Sequence, residues 1–426
     1  MRILVLYMYY LRPGDPGIRR FNQFCQIWAE QPDVQVTVVT SQIHHPSKSV
    51  YPDIGKQPVF RELDGKVEVL RVAAPGTYHA GFKGRAYSQL GWAFNVRRLL
   101  ATSPAPDIVL GSSPPLFIAN PLIAAKRRWR IPAILEVRDM WPEAITQLKL
   151  ASPMHPAVLY FGALEKWAAR HADHIVTIVE TQKNSLVRRG YKWEQDVSVI
   201  TNGVMLEDFE AVPVEARAKY RAQLGAGEGE VLAMYVGSHG PLHNVITLVE
   251  LADALRERRD IRFVSLGDGP ERPQLEAEAA RRALTNLRFH GAVPAHKVPA
   301  YLSAADIGIS LVNTTEGTNW DGQTRGVFRN AFFDIAGARL PIVFNVPGYT
   351  RDELETRARA GIYADTNAGP ETIAAAVVRL ADDADLRRDL GENAYQELAL
   401  KYNRRRMAEK YLELMHRLIS RGKAAS

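Results

Sequence analysis

Two hydrophobic rhythms alternate along the chain. Apolar-rich runs at Ile3 to Leu6, Val34 to Val39, Val67 to Val72, Asp107 to Leu110, Ile131 to Val137, His174 to Val179 and Val197 to Ile200 read as buried strands. Between them, apolar residues spaced three or four apart predict helices over Ile18 to Glu30, Arg85 to Leu100 and Gln182 to Arg189. The stretch from Ser41 to Lys66 is polar and turn-rich and predicts no regular element. Glu207 to Gly229 is charged, with Pro213 and three late glycines, and reads as a connection carrying a short helix. The rhythm then restarts. Strands are predicted at Leu232 to Val236, Ile261 to Leu266, Leu287 to Phe289, Ile307 to Leu311 and Pro341 to Phe344. Helices are predicted behind the first glycine loop up to Leu255, at Glu271 to Leu284, around Val298 to Ala304, at Phe328 to Ala338, twice within Glu371 to Leu398, and at Arg404 to Ser420. Strands alternating with helices throughout predict parallel sheets covered on both faces.

A chain of 426 residues exceeds what one core organises. The pattern fits two doubly wound domains of about 190 residues each, with ligand expected in a cleft between them. The 54 basic and 47 acidic residues give a formal charge of +7. That suits an anionic ligand or an anionic membrane surface. No nucleic-acid module is recognisable, so no nucleic-acid partner is expected. Cys25 is the sole cysteine, which excludes an intramolecular disulfide and a Cys-rich metal site. The opening apolar run is too short for a signal peptide, and no stretch of about 20 apolar residues could span a bilayer. The expected location is the cytoplasm, with the inner face of the cell membrane as an alternative station.

The candidate chemistry gathers where strands end. Leu232 to Val236 runs into Gly237-Ser238-His239-Gly240, a loop whose main-chain N–H groups could approach an anion. Glycines also punctuate ordinary strand-to-helix turns, so the loop alone fits either reading. Ile261 to Leu266 runs into Gly267-Asp268-Gly269-Pro270. The loop after the first strand holds Pro13, Gly14, Pro16 and Gly17. It is not a GxGxxG fingerprint, and no acidic residue closes the second strand, so a dinucleotide site is not expected there. Ser112-Ser113-Pro114-Pro115 and Arg138-Asp139-Met140-Trp141-Pro142-Glu143 follow two further strands. Asp139 reads equally as a helix N-cap before proline or as a catalytic carboxylate. His44-His45 lacks companions for a metal site. Asp383-Ala384-Asp385 spells a metal-binding signature, but no apolar strand precedes it, so it reads as helix capping. Arg85 to Leu100, with Tyr87, Trp92, Phe94, Arg97 and Arg98, reads as a helix packed on the sheet. The sharper alternative is a surface helix resting on anionic lipid, joined by the cluster Lys126-Arg127-Arg128-Trp129-Arg130.

Taken in order, several short motifs resemble those of the retaining glycosyltransferases of family 4. They are Ser112 to Pro115, Glu136 to Glu143, Ala172 to Val176, Val199 to Val204, Gly237 to Gly240, Gly267 to Glu271 and Phe333 to Val343. The branch concerned resembles that of bacterial polysaccharide and lipid-linked oligosaccharide assembly. The resemblance implies the GT-B architecture, an α/β fold of two facing Rossmann-like domains with an interdomain cleft. It implies an acceptor-binding domain over residues 1–196 and a nucleotide-sugar-binding domain over residues 197–390. A helical segment over residues 391–426 would return toward the first domain.

Carried over by position, Gly237, Ser238, His239, Gly240 and His243 would lie against the donor diphosphate, and Gly267, Asp268 and Gly269 would border the nucleotide. Arg329 and Asn330 would open a phosphate-cradling helix, and Asp334 would accept from the ribose hydroxyls. Gly14, Gly17, Ser112, Ser113 and Arg138 would face the acceptor, and Asp139 would be the catalytic group. The chain also departs from the pattern. Ser238 and His243 stand where the family carries Arg and Lys, Gly326 stands for the first of its paired glutamates, and Asp334 shortens the second. Arg325 or Arg329 could supply the missing positive charge.

The implied reaction moves a sugar from a nucleoside-diphosphate sugar to a hydroxyl with retention. It needs no metal and no cofactor beyond the donor. The donor is most simply UDP-linked, N-acetylhexosamine included. The acceptor is a glycan, a polyprenyl-linked sugar or a small molecule. Two competing readings are a nucleotide-sugar epimerase of the same architecture and a weakly active or non-catalytic nucleotide-sugar binder.

Overall fold

The structure is a computed structural model and describes residues 1–15, 17, 19–44, 49–76, 81–140, 146, 152–313 and 329–425. The chain divides into two compact units. The first comprises Met1–Thr201 with Arg405–Ser426, and the second Asn202–Arg404.

The first unit is built on strands β1 (Arg2–Leu6), β2 (Gln35–Ser41), β5 (Val59–Asp64), β6 (Val67–Val72), β7 (Ile108–Ser113), β8 (Ala133–Val137), β9 (His174–Thr177) and β10 (Val197–Val199). They form one sheet in the order β10-β9-β8-β7-β1-β2-β6-β5. All neighbours run parallel except β5, which turns back on β6 from Asp64↔Val67 to Val59↔Val72. The strand order reverses between β1 and β7, and such a switch point leaves a crevice at the carboxyl ends of the two strands. A separate two-stranded ribbon joins β3 (Ile43–His44) to β4 (Ser49–Val50).

These last three strands correct the reading of residues 41–66 as turns alone. In β5 the sequence VFRELD alternates side chains between faces, and its charged residues are held by partners on β6 and the loop after β1. An edge strand of this kind carries no apolar run to announce it. Helices Ala119–Trp129 and Pro156–His171, which the periodicity did not single out, join β7 to β8 and β8 to β9.

The end of the first unit also differs from the expected 196/197 boundary. Val197 pairs with Ile175 and Val199 with Thr177, so β10 is the last strand of the first sheet, and the division falls after Thr201. The helix Arg404–Ala425 supplies the remainder. In it Tyr411 packs against Phe24 and Trp28, whose indole Nε1 donates to the Ala408 carbonyl at 2.9 Å. At the centre of this unit lies a fully buried ion pair. Arg20 Nη2 donates to Glu136 at 3.1 Å and to the Ile200 carbonyl at 2.6 Å. Glu136 also accepts from Ser112 Oγ at 3.0 Å and from the Tyr411 hydroxyl.

The second unit holds β11 (Val231–Val236), β12 (Ile261–Leu266), β13 (Leu287–Gly291), β14 (Ile307–Ser310), β15 (Ile342–Phe344) and β16 (Gly361–Tyr363). They are all parallel, in the order β13-β12-β11-β14-β15-β16. The switch point lies between β11 and β14. Their central residues are buried on both faces, which explains why they read as continuous apolar runs rather than alternating ones. The expected short connection over residues 207–229 carries two helices, Leu206–Glu210 and Ala216–Leu224.

Candidate active site

In the second unit the loops that leave the carboxyl ends of β11, β12 and β14 meet at the switch point. The loop after β11 turns at Gly237. Its N–H donates to the Leu266 carbonyl at 3.1 Å, which holds it against the end of β12. A β-carbon on Gly267 would stand 1.8 Å from the Gly237 carbonyl oxygen, and one on Gly269 2.4 Å from that of His239. Main chain passes main chain here with no room for a side chain, and Gly267 also takes a φ of +155°. His239 straps the two loops together. Its N–H donates to the Asp268 carbonyl at 2.9 Å, and its carbonyl accepts from Glu271 N–H at 3.0 Å. Its ring is fully buried and turned inward, with Nε2 2.6 Å from Ser265 Oγ. Burial, helped by Arg272, lowers its pKa, so the ring is neutral. Ser238 and Asp268 are exposed, as are Pro241, Leu242 and Pro270.

The loop after β14 closes the other side. Asn313 N–H donates to the Leu242 carbonyl and its Nδ2 to the Pro241 carbonyl, each at 3.1 Å. Asn345, following β15, accepts from Val312 N–H at 2.9 Å and donates to its carbonyl at 2.8 Å. Arg329 stands at the start of the helix Asn330–Gly337 and donates from Nη1 to the Leu311 carbonyl. Its Nη2 lies 3.5 Å from where a β-carbon on Gly237 would point. Arg329 also interacts with the Tyr235 hydroxyl, which itself donates to the Ser238 carbonyl at 2.9 Å. His243 stands nearby. Burial first, then the charge of Arg329, pushes its pKa down to about 4, so it carries no charge near neutrality.

The helix expected directly behind Gly240 starts at Ile246. A turn closed by His243 N–H on the Gly240 carbonyl intervenes, followed by Asn244 at a φ of +47°. The main-chain loops and Arg329, rather than that helix's dipole, therefore border the glycine turn. Asp334 lies one turn into the helix Asn330–Gly337 and is part-exposed. Surrounding protein nonetheless desolvates its carboxyl enough to raise its pKa to about 7, against the pull of Arg404 and with a further push from Asp208. Arg325 and Gly326 lie outside the described residues.

In the first unit, Asp139 is exposed just past the end of β8. Residues 141–145, on which the capping alternative for Asp139 depends, lie outside the described residues. Arg138 N–H donates to the Ser113 carbonyl at 3.2 Å, and its Nη1 to the Tyr7 hydroxyl, beyond β1, at 3.1 Å. Burial opposes its charge, but Tyr7, Glu136 and Asp139 outweigh that and raise its pKa. Thus Arg138 reaches from the end of β8 to Tyr7 at the β1/β7 switch point, and Asp139 follows it in the chain. Ser112 and Ser113 are buried, and the hydroxyl of Ser112 is committed to Glu136. Gly14 and Gly17 are exposed at φ +89° and +132° in the loop after β1.

Among the described residues no cluster of His, Cys, Asp or Glu could hold a metal. Asp383 caps the helix Ala384–Ala394, accepting from Leu386 N–H at 2.8 Å, which is the role its spacing predicts. His45 lies outside the described residues. A cavity of about 690 Å³ beside Arg217, Arg221 and Asp306 opens at the amino ends of β11 and β14, away from the glycine loops. Its Arg217 and Arg221 are already paired with Asp306.

Sequence reasoning passed over Tyr235, Ser265, Asn345 and Tyr7. The first two sit within strand runs and give no signal beyond being polar among apolar neighbours. Asn345 does give one, as an amide placed directly after the buried run Ile342–Phe344.

Residues 18–203 match the glycosyl transferase 4-like domain, and residues 216–397 match the glycosyl transferases group 1 family. A 2-deoxystreptamine glucosyltransferase of Streptomyces kanamyceticus is 30% identical over 52% of this chain and 60% of its own length. A putative colanic acid biosynthesis glycosyl transferase, WcaI of Escherichia coli, is 25% identical over 47% of this chain and 49% of its own. The chain thus spans about half to three-fifths of the length of these curated relatives. Among solved structures, Anabaena HepE in complex with UDP and glucose superposes with a TM-score of 0.69 at 16% identity, covering 98% of this chain and 99% of that one. WaaG, a glycosyltransferase involved in lipopolysaccharide biosynthesis, superposes with a TM-score of 0.67 at 17% identity, covering 97% and 99%. At these identities the superpositions establish the two-domain α/β fold shared with GT-B proteins.

Proposed function

We propose a sugar transfer for this chain, which belongs to the glycosyltransferases that join a glycosyl transferase 4-like domain to a group 1 domain. The donor is a nucleoside-diphosphate sugar held by the second unit, and the transfer retains anomeric configuration. One observation carries the donor assignment. Three strand-end loops converge at the β11/β14 switch point beside the guanidinium of Arg329, with glycines where main chain passes main chain too closely for a side chain. A cation held at that point stabilises the charge that grows on the departing phosphate. As the nucleoside diphosphate leaves, the acceptor hydroxyl attacks the same face of the anomeric carbon and passes its proton to the leaving phosphate. Asp139 steadies the positive character of the sugar or orients the acceptor.

UDP is the proposed nucleotide, supported by a structural neighbour solved with UDP and glucose. A glycan, lipid-linked or small-molecule hydroxyl is the proposed acceptor, in keeping with relatives named for an aminocyclitol and for colanic acid. Metal independence is part of the proposal, since the acidic triplet at Asp383 serves as a helix cap. The reading is tested by thermal stabilisation across a panel of nucleotide sugars, because a ligand bound only by the folded state raises Tm. The donor that stabilises most is then assayed for transfer, with Asp139→Asn as the control. Stabilisation without transfer to any acceptor would favour a binding protein. Isomerisation of the donor alone would favour an epimerase.

A further inference from the structure

We propose that the first unit docks on an anionic lipid bilayer through the helix Gly81–Thr102 and the adjoining end of the helix Ala119–Trp129. The inward face of the first helix is fully used. Ser88, Gln89, Trp92, Ala93, Val96 and Leu100 are buried, and three of its side chains pin it to the sheet side. Trp92 Nε1 donates to the Thr40 carbonyl at 3.0 Å, Asn95 Nδ2 to the Ala73 carbonyl at 2.9 Å, and Gln89 Nε2 to the Tyr9 hydroxyl at 3.1 Å. The same helix carries a second apolar stripe that the core does not use. Tyr87, Leu90 and Phe94, spaced three and four apart, are 61%, 43% and 61% exposed. Single exposed apolar residues need no explanation, but a stripe of three large ones on one helix face does.

Charge identifies what covers that stripe. Residues 81–102 hold Lys83, Arg85, Arg97 and Arg98, and residues 119–130 hold Lys126, Arg127, Arg128 and Arg130. Neither segment contains a carboxylate. These eight cations exceed the net charge of +7 for the whole chain, so the remainder is close to neutral and the excess is concentrated here. Arg128 Nη2 donates to the Ala101 carbonyl at 2.7 Å, which brings the ends of the two segments together and groups the exposed Arg97, Arg98, Arg127 and Arg130. Of the eight, Lys126 is paired with Asp173 and Arg85 is also engaged, so the exposed Arg97, Arg98, Arg127 and Arg130 carry the charge of this patch.

Large apolar and aromatic side chains flanked by exposed cations match an interface that is apolar below and negatively charged above, which is the surface of an anionic bilayer. The hydrogen bond from Gln89 to Tyr9 ties this helix to the loop after β1, so a docked helix would hold that loop close to the lipid.

Full-length protein is tested by co-sedimentation with phosphatidylcholine vesicles, with and without about 30 mol % phosphatidylglycerol, at low and high salt. Binding only to the anionic vesicles is expected, weakening with salt. Arg97→Glu with Arg98→Glu is expected to lower the partition coefficient about tenfold or more. Tyr87→Ser with Phe94→Ser is expected to weaken it at every salt concentration, with circular dichroism and Tm unchanged. Arg127→Gln with Arg130→Gln gives a milder second test of the charge. The proposal is overturned if wild type binds the two vesicle types equally or not at all, or if none of these variants alters binding. A concentration-dependent dimer abolished by Tyr87→Ser with Phe94→Ser would also overturn it, by assigning the stripe to a second copy.

Discussion

The guanidinium of Arg329 lies against Gly237, its Nη2 3.5 Å from the position that a β-carbon there would take. The two residues are 92 positions apart and belong to different strand-end loops, yet they share one corner of the site. Ser238 and His243 are uncharged, and the charge of Arg329 is part of what keeps His243 so. Among the described residues of this corner, positive charge therefore stands at the start of the helix Asn330–Gly337 rather than in the glycine loop.

This placement predicts that Arg329→Ala weakens donor binding by about tenfold or more, close to 1.4 kcal/mol or above. Ser238→Arg placed in the same chain should recover part of that loss, because a cation is restored to the same corner from the other loop. Calorimetric titration with UDP decides the matter. If Arg329→Ala binds UDP as well as the parent does, the charge assignment is wrong.

The glycines of the strand-end loops should not respond alike to alanine. At Gly267 and Gly269 the new methyl group meets main-chain carbonyl oxygens at 1.8 and 2.4 Å, and main chain cannot swing aside as a side chain does. Each substitution should cost on the order of 2–4 kcal/mol and spoil donor binding together with stability. Gly14→Ala has no heavy atom within 4 Å of the new carbon and meets only the strain of its positive φ, about 1–2 kcal/mol. Chemical denaturation of the three variants tests this order, and equal losses would contradict it.

The legible part of this molecule was the part buried on both sides. Strands such as Val231–Val236 and Ile307–Ser310 must be apolar at nearly every position, so the run itself announces them. The strand Val59–Asp64 was illegible for the converse reason. It lies at an edge, and its Glu62 is held by Arg12 and Arg71, residues distant in sequence. The glycine loops could be found from spacing, but their mutual contact could not, since nothing local tells Gly267 that the Gly237 carbonyl lies against it. His239 shows the limit at the level of one side chain. Its place in a glycine loop suggested a group facing the ligand, whereas the ring packs inward on Ser265 and the loop is held by its main chain.

The buried pair Arg20–Glu136 yields a prediction about stability alone. Both side chains are fully buried, and Glu136 also accepts from Ser112 and Tyr411. Glu136→Leu leaves the guanidinium in the core without its counter-charge and should cost about 3–5 kcal/mol. Arg20→Met combined with Glu136→Leu should cost less than Glu136→Leu alone, because no uncompensated charge remains. Urea unfolding of the single and double variants measures the coupling, and additive losses would show that the two groups act independently.

Asp334 gives the prediction that joins stability to function. Desolvation raises its pKa to about 7, against an ordinary value of 3.8. The folded state therefore keeps this proton over a range in which the unfolded chain has lost it. The resulting stabilisation is fully present below about pH 4, declines as pH rises, and is gone once the folded carboxyl has ionised above about pH 7; its size is on the order of 2–4 kcal/mol. Asp334→Asn, which cannot ionise, should flatten that part of the stability profile. Binding should follow the opposite slope. The ionised carboxylate can accept from two neighbouring ribose hydroxyls, whereas the protonated acid carries a donor of its own. Affinity for UDP should accordingly rise between pH 6 and 8 in the parent chain and stay level in Asp334→Asn. Titrations at three pH values across that interval separate the two roles. A level parent profile would detach Asp334 from the ribose, while a stability slope unchanged in the variant would show that another group holds the proton.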